Sequence, residues 1–185
     1  MEDTANELEI SDHTIFDMRH KILLAMAKIE DDNPTILSEI TKLDKTYVLE
    51  SKKGSKLGED DRAARKHGGK ASKRGLSNEQ VCLFAGVQRE GSAYMHCVNY
   101  GKPSKKEIEE AFDNHVTDDA MYITDGLSGY SILSELTSCQ VVNAKREYSL
   151  FYHINHVNNL HSQFKDRYEG YRGVGKLDLS SELIL

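Results

Sequence analysis

No apolar run in the sequence approaches the ~20 residues that a membrane-spanning helix needs, and no signal-peptide pattern opens it. Cysteine is scarce: Cys82, Cys97 and Cys139 are isolated and odd in number. They supply neither a zinc-ligand spacing nor a disulfide framework. The expected compartment is therefore reducing and cytoplasmic, with the three thiols acting as small buried hydrophobes. Aromatic residues make up only 8% of the chain and hydrophobic residues 38%. That supports a modest core, suited to one ordinary domain with a small appendage in 185 residues. A net charge of −6 argues against attraction to nucleic acid over the whole surface.

The positive charge that is present is concentrated. Residues 51–75, SKKGSKLGEDDRAARKHGGKASKRG, hold nine Lys or Arg against three acids, a local +6 that leaves −12 on the rest. Such asymmetry marks a segment with a separate task. The stretch 51–76 is Gly-rich and without periodicity, which predicts an exposed, mobile loop. Its candidates for salt-sensitive phosphate contacts are Lys52, Lys53, Lys56, Arg65, Lys66, Lys70, Lys73 and Arg74.

Residues 1–28 read as helical with a break near Ile10–Ser11, where Ser11 can cap a second helix. The run TANELEISDHTIFDMRHKIL has helix-turn-helix spacing, with Ala5, Leu8 and Ile10 inside and Thr14–Arg19 on a recognition helix; plain packing helices fit it as well. After a connector, TKLDKTYVLES alternates as a strand. EQVCLFAGVQRE and GSAYMHCVNYG form a hairpin about a Glu-Gly turn. SKKEIEEAFDNHV is a helix with a Ser104–Glu107 capping box. DAMYITDGLSGY holds a short buried strand, SILSELT a short helix and CQVVNA a fifth strand, before a long helix from about Ile154 to Tyr171. Three meandering strands followed by helix, strand, helix, strand and helix predict an α/β, ribonuclease-H-like fold: a five-stranded mixed sheet with helices on both faces.

That fold sets the first and fourth strands side by side, so an acid on each can share divalent ions. Asp44 lies inside the first strand, where Asp is depleted, and Asp125 ends the fourth. Asn158 on the late helix is the third oxygen donor. All three suit Mg²⁺ or Mn²⁺, and two such ions can activate a hydroxyl and steady a leaving oxygen at phosphorus. Asp125-Gly126 also reads as an ordinary turn signal. Val157, Leu160, Phe164 and Tyr168 form the late helix's buried stripe, with Asn158 and Lys165 beside it. Lys165 is placed to reach a DNA phosphate. His153, His156 and His161 match no tight zinc template and read as scattered surface or packing residues. Alternation along the first strand sends Lys45 to the face opposite Asp44.

The segments LDKTYVLESKKGSKL, HGGKASKRGLSNEQVC, TDGLSGY and NHVNNLHSQFKDRYEGYRGVG resemble the DDE-type transposases of bacterial insertion sequences. The resemblance runs from about residue 5 to 175. It is to the subgroup whose third acidic residue is replaced by Asn, with Lys seven residues later. It implies metal-dependent DNA strand cleavage and joining, with Asp44, Asp125 and Asn158 as ligands of two Mg²⁺ or Mn²⁺ ions and Lys165 as a DNA contact. The partners would be the element's terminal repeats and target DNA, engaged by a homo-oligomer in a bacterial cytoplasm. The implied organisation is a partial helix-turn-helix-like segment over 1–30, a catalytic domain over 36–175 and a divergent tail over 176–185. Asp44-Lys45-Thr46 stands where the family usually has Asp-Glu-Thr. No zinc ribbon precedes the helices, and KLDLSSELIL replaces the usual helix after YRGVG, so the chain reads as truncated at both ends. A non-catalytic DNA-binding remnant and a metal-dependent nuclease of the same fold are the alternatives.

Overall fold

The computed structural model describes residues 2–52, 58, 70–89, 91–126, 128–136, 140–143 and 152–170. Two helices come first, α1 (Glu2–Leu8) and α2 (Asp12–Asp32). The chain turns between them through Glu9 at φ 54°, and the Ser11 side chain accepts from the Thr14 N–H to cap α2. Ala5 and Ile15 are buried, but Leu8, expected inside, is exposed along with Phe16 and Ile22. Among the described residues, no helix is long and apolar enough to cross a membrane.

The sheet contains β1 (Ile40–Leu49), β2 (Gln80–Gln88), β3 (Ala93–Tyr100), β4 (Met121–Thr124) and β5 (Gln140–Asn143), in the order β3-β2-β1-β4-β5. The short β2–β3 connection enforces an antiparallel hairpin, and β2 is also antiparallel to β1. Parallel pairs need crossovers, supplied by α3 (Lys105–Phe112) ahead of β4 and α4 (Ser131–Leu136) ahead of β5. α5 (Asn155–Gly170) packs against β1 and β2. This is the ribonuclease-H-like order expected from the sequence, and the capping box forms at Ser104 and Glu107 as read.

Two cores flank the sheet. Leu43, Phe84, Tyr94 and Tyr122 pack with Ile108, Phe112, Tyr130 and Leu133 on one side. On the other, Val48, Val81, Leu83 and Ala85 meet Val157 and Phe164 of α5. β2 is buried continuously from Val81 to Gly86, as befits a strand covered on both faces. Gly86 is opposite Leu43, and a Cβ there would stand 2.5 Å from Leu37 and 3.0 Å from Leu43, so glycine makes room for both leucines. The Tyr168 hydroxyl donates to the Leu49 carbonyl at 2.6 Å, tying the far end of α5 to the end of β1.

Lys53, Lys56, Arg65 and Lys66 of the basic segment, and the tail 176–185, lie outside the described residues. Lys70, Lys73 and Arg74 are exposed, and Lys52 is half-buried.

Candidate active site

β1 and β4 run parallel in a register that pairs Leu43 with Thr124, and Asp44 and Asp125 are the next residues on each chain. Leu43 packs on the α3 and α4 side, so alternation turns Asp44 toward α5. Asp125 is released from the strand by Gly126, which adopts φ 81°. Its open α-carbon also lies against the Asn143 side chain, where a Cβ would clash. The turn reading and the functional reading of Asp125-Gly126 are thus compatible: the glycine turns the chain as soon as the acid has been presented.

The carboxylates meet at one cation. Lys45 Nζ lies 3.0 Å from Asp125 Oδ2 and 4.0 Å from Asp44 Oδ1, with all three side chains less than a fifth exposed. This corrects the expectation that Lys45 would be remote from the acids. Its stem does belong to the opposite face, where the ammonium lies 6.0 Å from the centre of the Tyr130 ring. Because β4 ends at Thr124, however, four methylenes carry the charge past the strand end to Asp125.

The surroundings are short of hydrogen bonds. Among the described residues, the Tyr130 hydroxyl and the Nε2 atom of His161 are buried and complete none, while the Tyr47 hydroxyl faces the Cys82 thiol. Burial, with Asp44 and Asp125 close by, pushes the Tyr130 phenol far above its usual value. Burial, then the charges of Lys165 and Lys45, press His161 down to about 4, so its imidazole is neutral at pH 7.

α5 places the remaining candidates. Val157, His161 and Phe164 form the buried stripe, with Leu160 and Tyr168 only partly covered, while Asn158 and Lys165 are exposed on its flank. His161 is therefore a core-facing neighbour of Lys45, a packing histidine as expected. His153 and His156 lie together. Their rings pack edge to face at 5.5 Å, and His153 Nδ1 lies 3.5 Å from the ammonium of buried Lys42. Sequence reasoning missed Lys42 altogether; a lysine inside a strand predicted to be central in the sheet was the available signal.

Divalent-metal chemistry can be tested against these donors. Two hard carboxylates already aim oxygens at a common positive charge, which is the arrangement Mg²⁺ or Mn²⁺ requires. The pair fits such an ion. Among the described residues, no cluster of three His, Cys, Asp or Glu side chains is disposed to hold a metal. A third donor would have to be of another kind, as Asn158 is.

The ISXO2-like transposase domain matches residues 36–175, the span from the connector before β1 to just beyond α5. The chain belongs to this family. No curated protein matches it. Among solved structures it is similar to the crystal structure of a pre-cleavage Mos1 transpososome, at 9% identity and a TM-score of 0.33, covering 97% of this chain and 68% of that one.

Proposed function

We propose that this transposase-family domain cuts and joins DNA strands at the Asp44–Asp125 pair, with Asn158 completing the donor set. The observation that supports this most is the convergence of two carboxylates from neighbouring parallel strands on one cation. Two Mg²⁺ or Mn²⁺ ions would supply activation of the attacking oxygen and neutralisation of charge at phosphorus. In cleavage, water attacks a phosphodiester at the element end, the phosphorus–oxygen bond to the 3′ oxygen breaks, and that oxygen takes a proton. In joining, the freed 3′ hydroxyl attacks a target phosphodiester and displaces its 3′ oxygen in line. The chain's task is to hold donors and strand in place. Asp44 is fixed by a strand bonded on both sides at Leu43, and Asn158 is carried on a helix anchored in the core that Val157 and Phe164 share with β1 and β2. Exposed Lys165, two turns beyond Asn158, and the basic segment would meet backbone phosphates. The DNA would be the element's terminal repeats and target, held by more than one copy of the chain.

The Lys45 ammonium favours a second reading, a DNA-binding remnant without chemistry, because it satisfies the charge a metal would satisfy. A strand-transfer assay on labelled terminal repeats with Mg²⁺ or Mn²⁺ separates the readings. Joined products are expected. DNA binding without metal-dependent release establishes the remnant, and release without joining establishes a nuclease.

A further inference from the structure

Among the described residues, Lys42 is a buried cation with no acid in hydrogen-bonding contact. Its side chain belongs to a residue 2% exposed, yet its one hydrogen-bond partner is an imidazole nitrogen, His153 Nδ1, at 3.5 Å. Lysine is almost never buried this far without a carboxylate, because an unpaired charge loses its hydration without compensation. Arg89, whose backbone N–H bonds the Ile40 carbonyl, brings a guanidinium to the same end of the sheet. His153 and His156 stand together at the start of α5.

The hydrogen-bond pattern also orients the group toward an acceptor. His153 Nδ1 receives the backbone N–H of Asn155 at 3.3 Å, so the proton of the neutral ring resides on Nε2, which becomes a donor. A cavity of about 310 Å³ opens beside the cluster, lined by Arg89 and His156 together with Asn159 and Gln163, both able to donate. Every polar side chain named here can give a hydrogen bond, and none is an anion.

We propose that Lys42, Arg89, His153 and His156 form a phosphate-binding subsite for the DNA strand beside the carboxylate pair. Lys42 precedes Asp44 by two residues on the same face of β1, about 7 Å along the strand. A backbone phosphate bound there would neighbour the one presented to Asp44 and Asp125. It would meet Arg89 and His156 on the cavity wall, balance the charge of Lys42 held behind them by His153, and hold the strand in register at the reacting phosphorus. The assignment rests on the reading of the domain as acting on DNA, and it adds a positioning group outside the basic segment and Lys165.

The test uses the full chain, inorganic phosphate and a generic 20-base-pair duplex. In wild-type protein, phosphate should raise the thermal midpoint above that in chloride at matched ionic strength. Lys42→Met should start from a higher midpoint in chloride, since a buried charge is gone, and should lose the phosphate response. Arg89→Gln should weaken that response and provides a second variant of independent folding risk. With duplex, each variant should bind several-fold more weakly at low salt and reduce the slope of log affinity against log salt by about 1. A phosphate response and salt slope unchanged in both variants overturn the subsite. A lost phosphate response with an unchanged duplex slope overturns its assignment to DNA and leaves a site for free phosphate. Reduced slopes in a protein that joins no strands support the subsite while sinking the strand-transfer reading.

Discussion

Tyr122 and Tyr130 are both fully buried phenols in one core on the same face of the sheet, and the fold serves them differently. The Tyr122 hydroxyl donates to the Leu37 carbonyl at 2.8 Å and accepts the Thr117 N–H at 2.8 Å, stapling the entry to β1 onto the turn before β4. The Tyr130 hydroxyl, beside Asp44 and Asp125, has no partner among the described residues. Tyr94, away from the acids, is satisfied by the Ala111 carbonyl at 3.0 Å. His161, close to Lys45, is not satisfied either among the described residues. Among the described residues, Thr117 is the one unpartnered hydroxyl at the other end. One end of this domain is built for stability, while the other carries polar groups whose partners a folded chain alone does not provide. Unsatisfied buried polar atoms are costly enough that their concentration at one place calls for a cause, and a working site is the cause proposed.

The strongest test of that contrast is loss of an acid. Asp44→Asn should leave the thermal midpoint near wild type while strand transfer falls by about a thousandfold, because several kcal/mol of charge stabilisation at phosphorus go with the carboxylate. An unfolded variant, or one with undiminished joining, would move Asp44 to the structural end.

Acid should weaken the site end through His161. Its imidazole titrates at an ordinary 6.5 when unfolded and about 4 in the fold, so the unfolded chain binds the extra proton between those values. Stability from this group is full above about pH 6.5 and is lost as pH falls toward 4, by up to about 3 kcal/mol. Urea unfolding across that range should show the slope in wild type and a flatter one in His161→Leu.

The two phenols can be compared directly. Tyr122→Phe leaves a buried N–H and carbonyl unpaired and should cost about 1–3 kcal/mol. Tyr130→Phe removes an unpartnered hydroxyl and should be neutral or slightly stabilising. Equal losses in denaturant midpoint would erase the distinction between the two ends.

The smallest effect expected is at Lys45. Lys45→Gln removes the cation that the carboxylates now share, and Mn²⁺ affinity measured by electron paramagnetic resonance should rise about tenfold, or ~1.4 kcal/mol. An unchanged affinity would mean that the ammonium does not compete with metal.

Much of this arrangement was readable from the chain. Alternation and turn residues located the strands, and the strand order alone brought Asp44 beside Asp125. Lys45 was misplaced because alternation governs where a Cβ points, whereas a lysine's charge is set by four further bonds and by where the adjoining strand stops. His161 lay one position from the apolar stripe drawn on a regular wheel; the actual packing of α5 turned it inward beside Val157 and Phe164. Lys42, Arg89, His153 and His156 come from three separate stretches, and no spacing rule links residues that only the folded sheet gathers.

The early end of β4 divides β1 into two kinds of strand. From Ile40 to Leu43 it is bonded on both sides, but from Lys45 to Leu49 only β2 pairs with it among the described residues. The second half is a sheet edge, and an exposed edge invites another extended chain to add itself in register. Such an addition is commonly discouraged by a charged side chain at the point of entry. Lys45 stands at that point with its charge turned in to Asp125, and at the far end of the open half the Tyr168 hydroxyl takes up the Leu49 carbonyl.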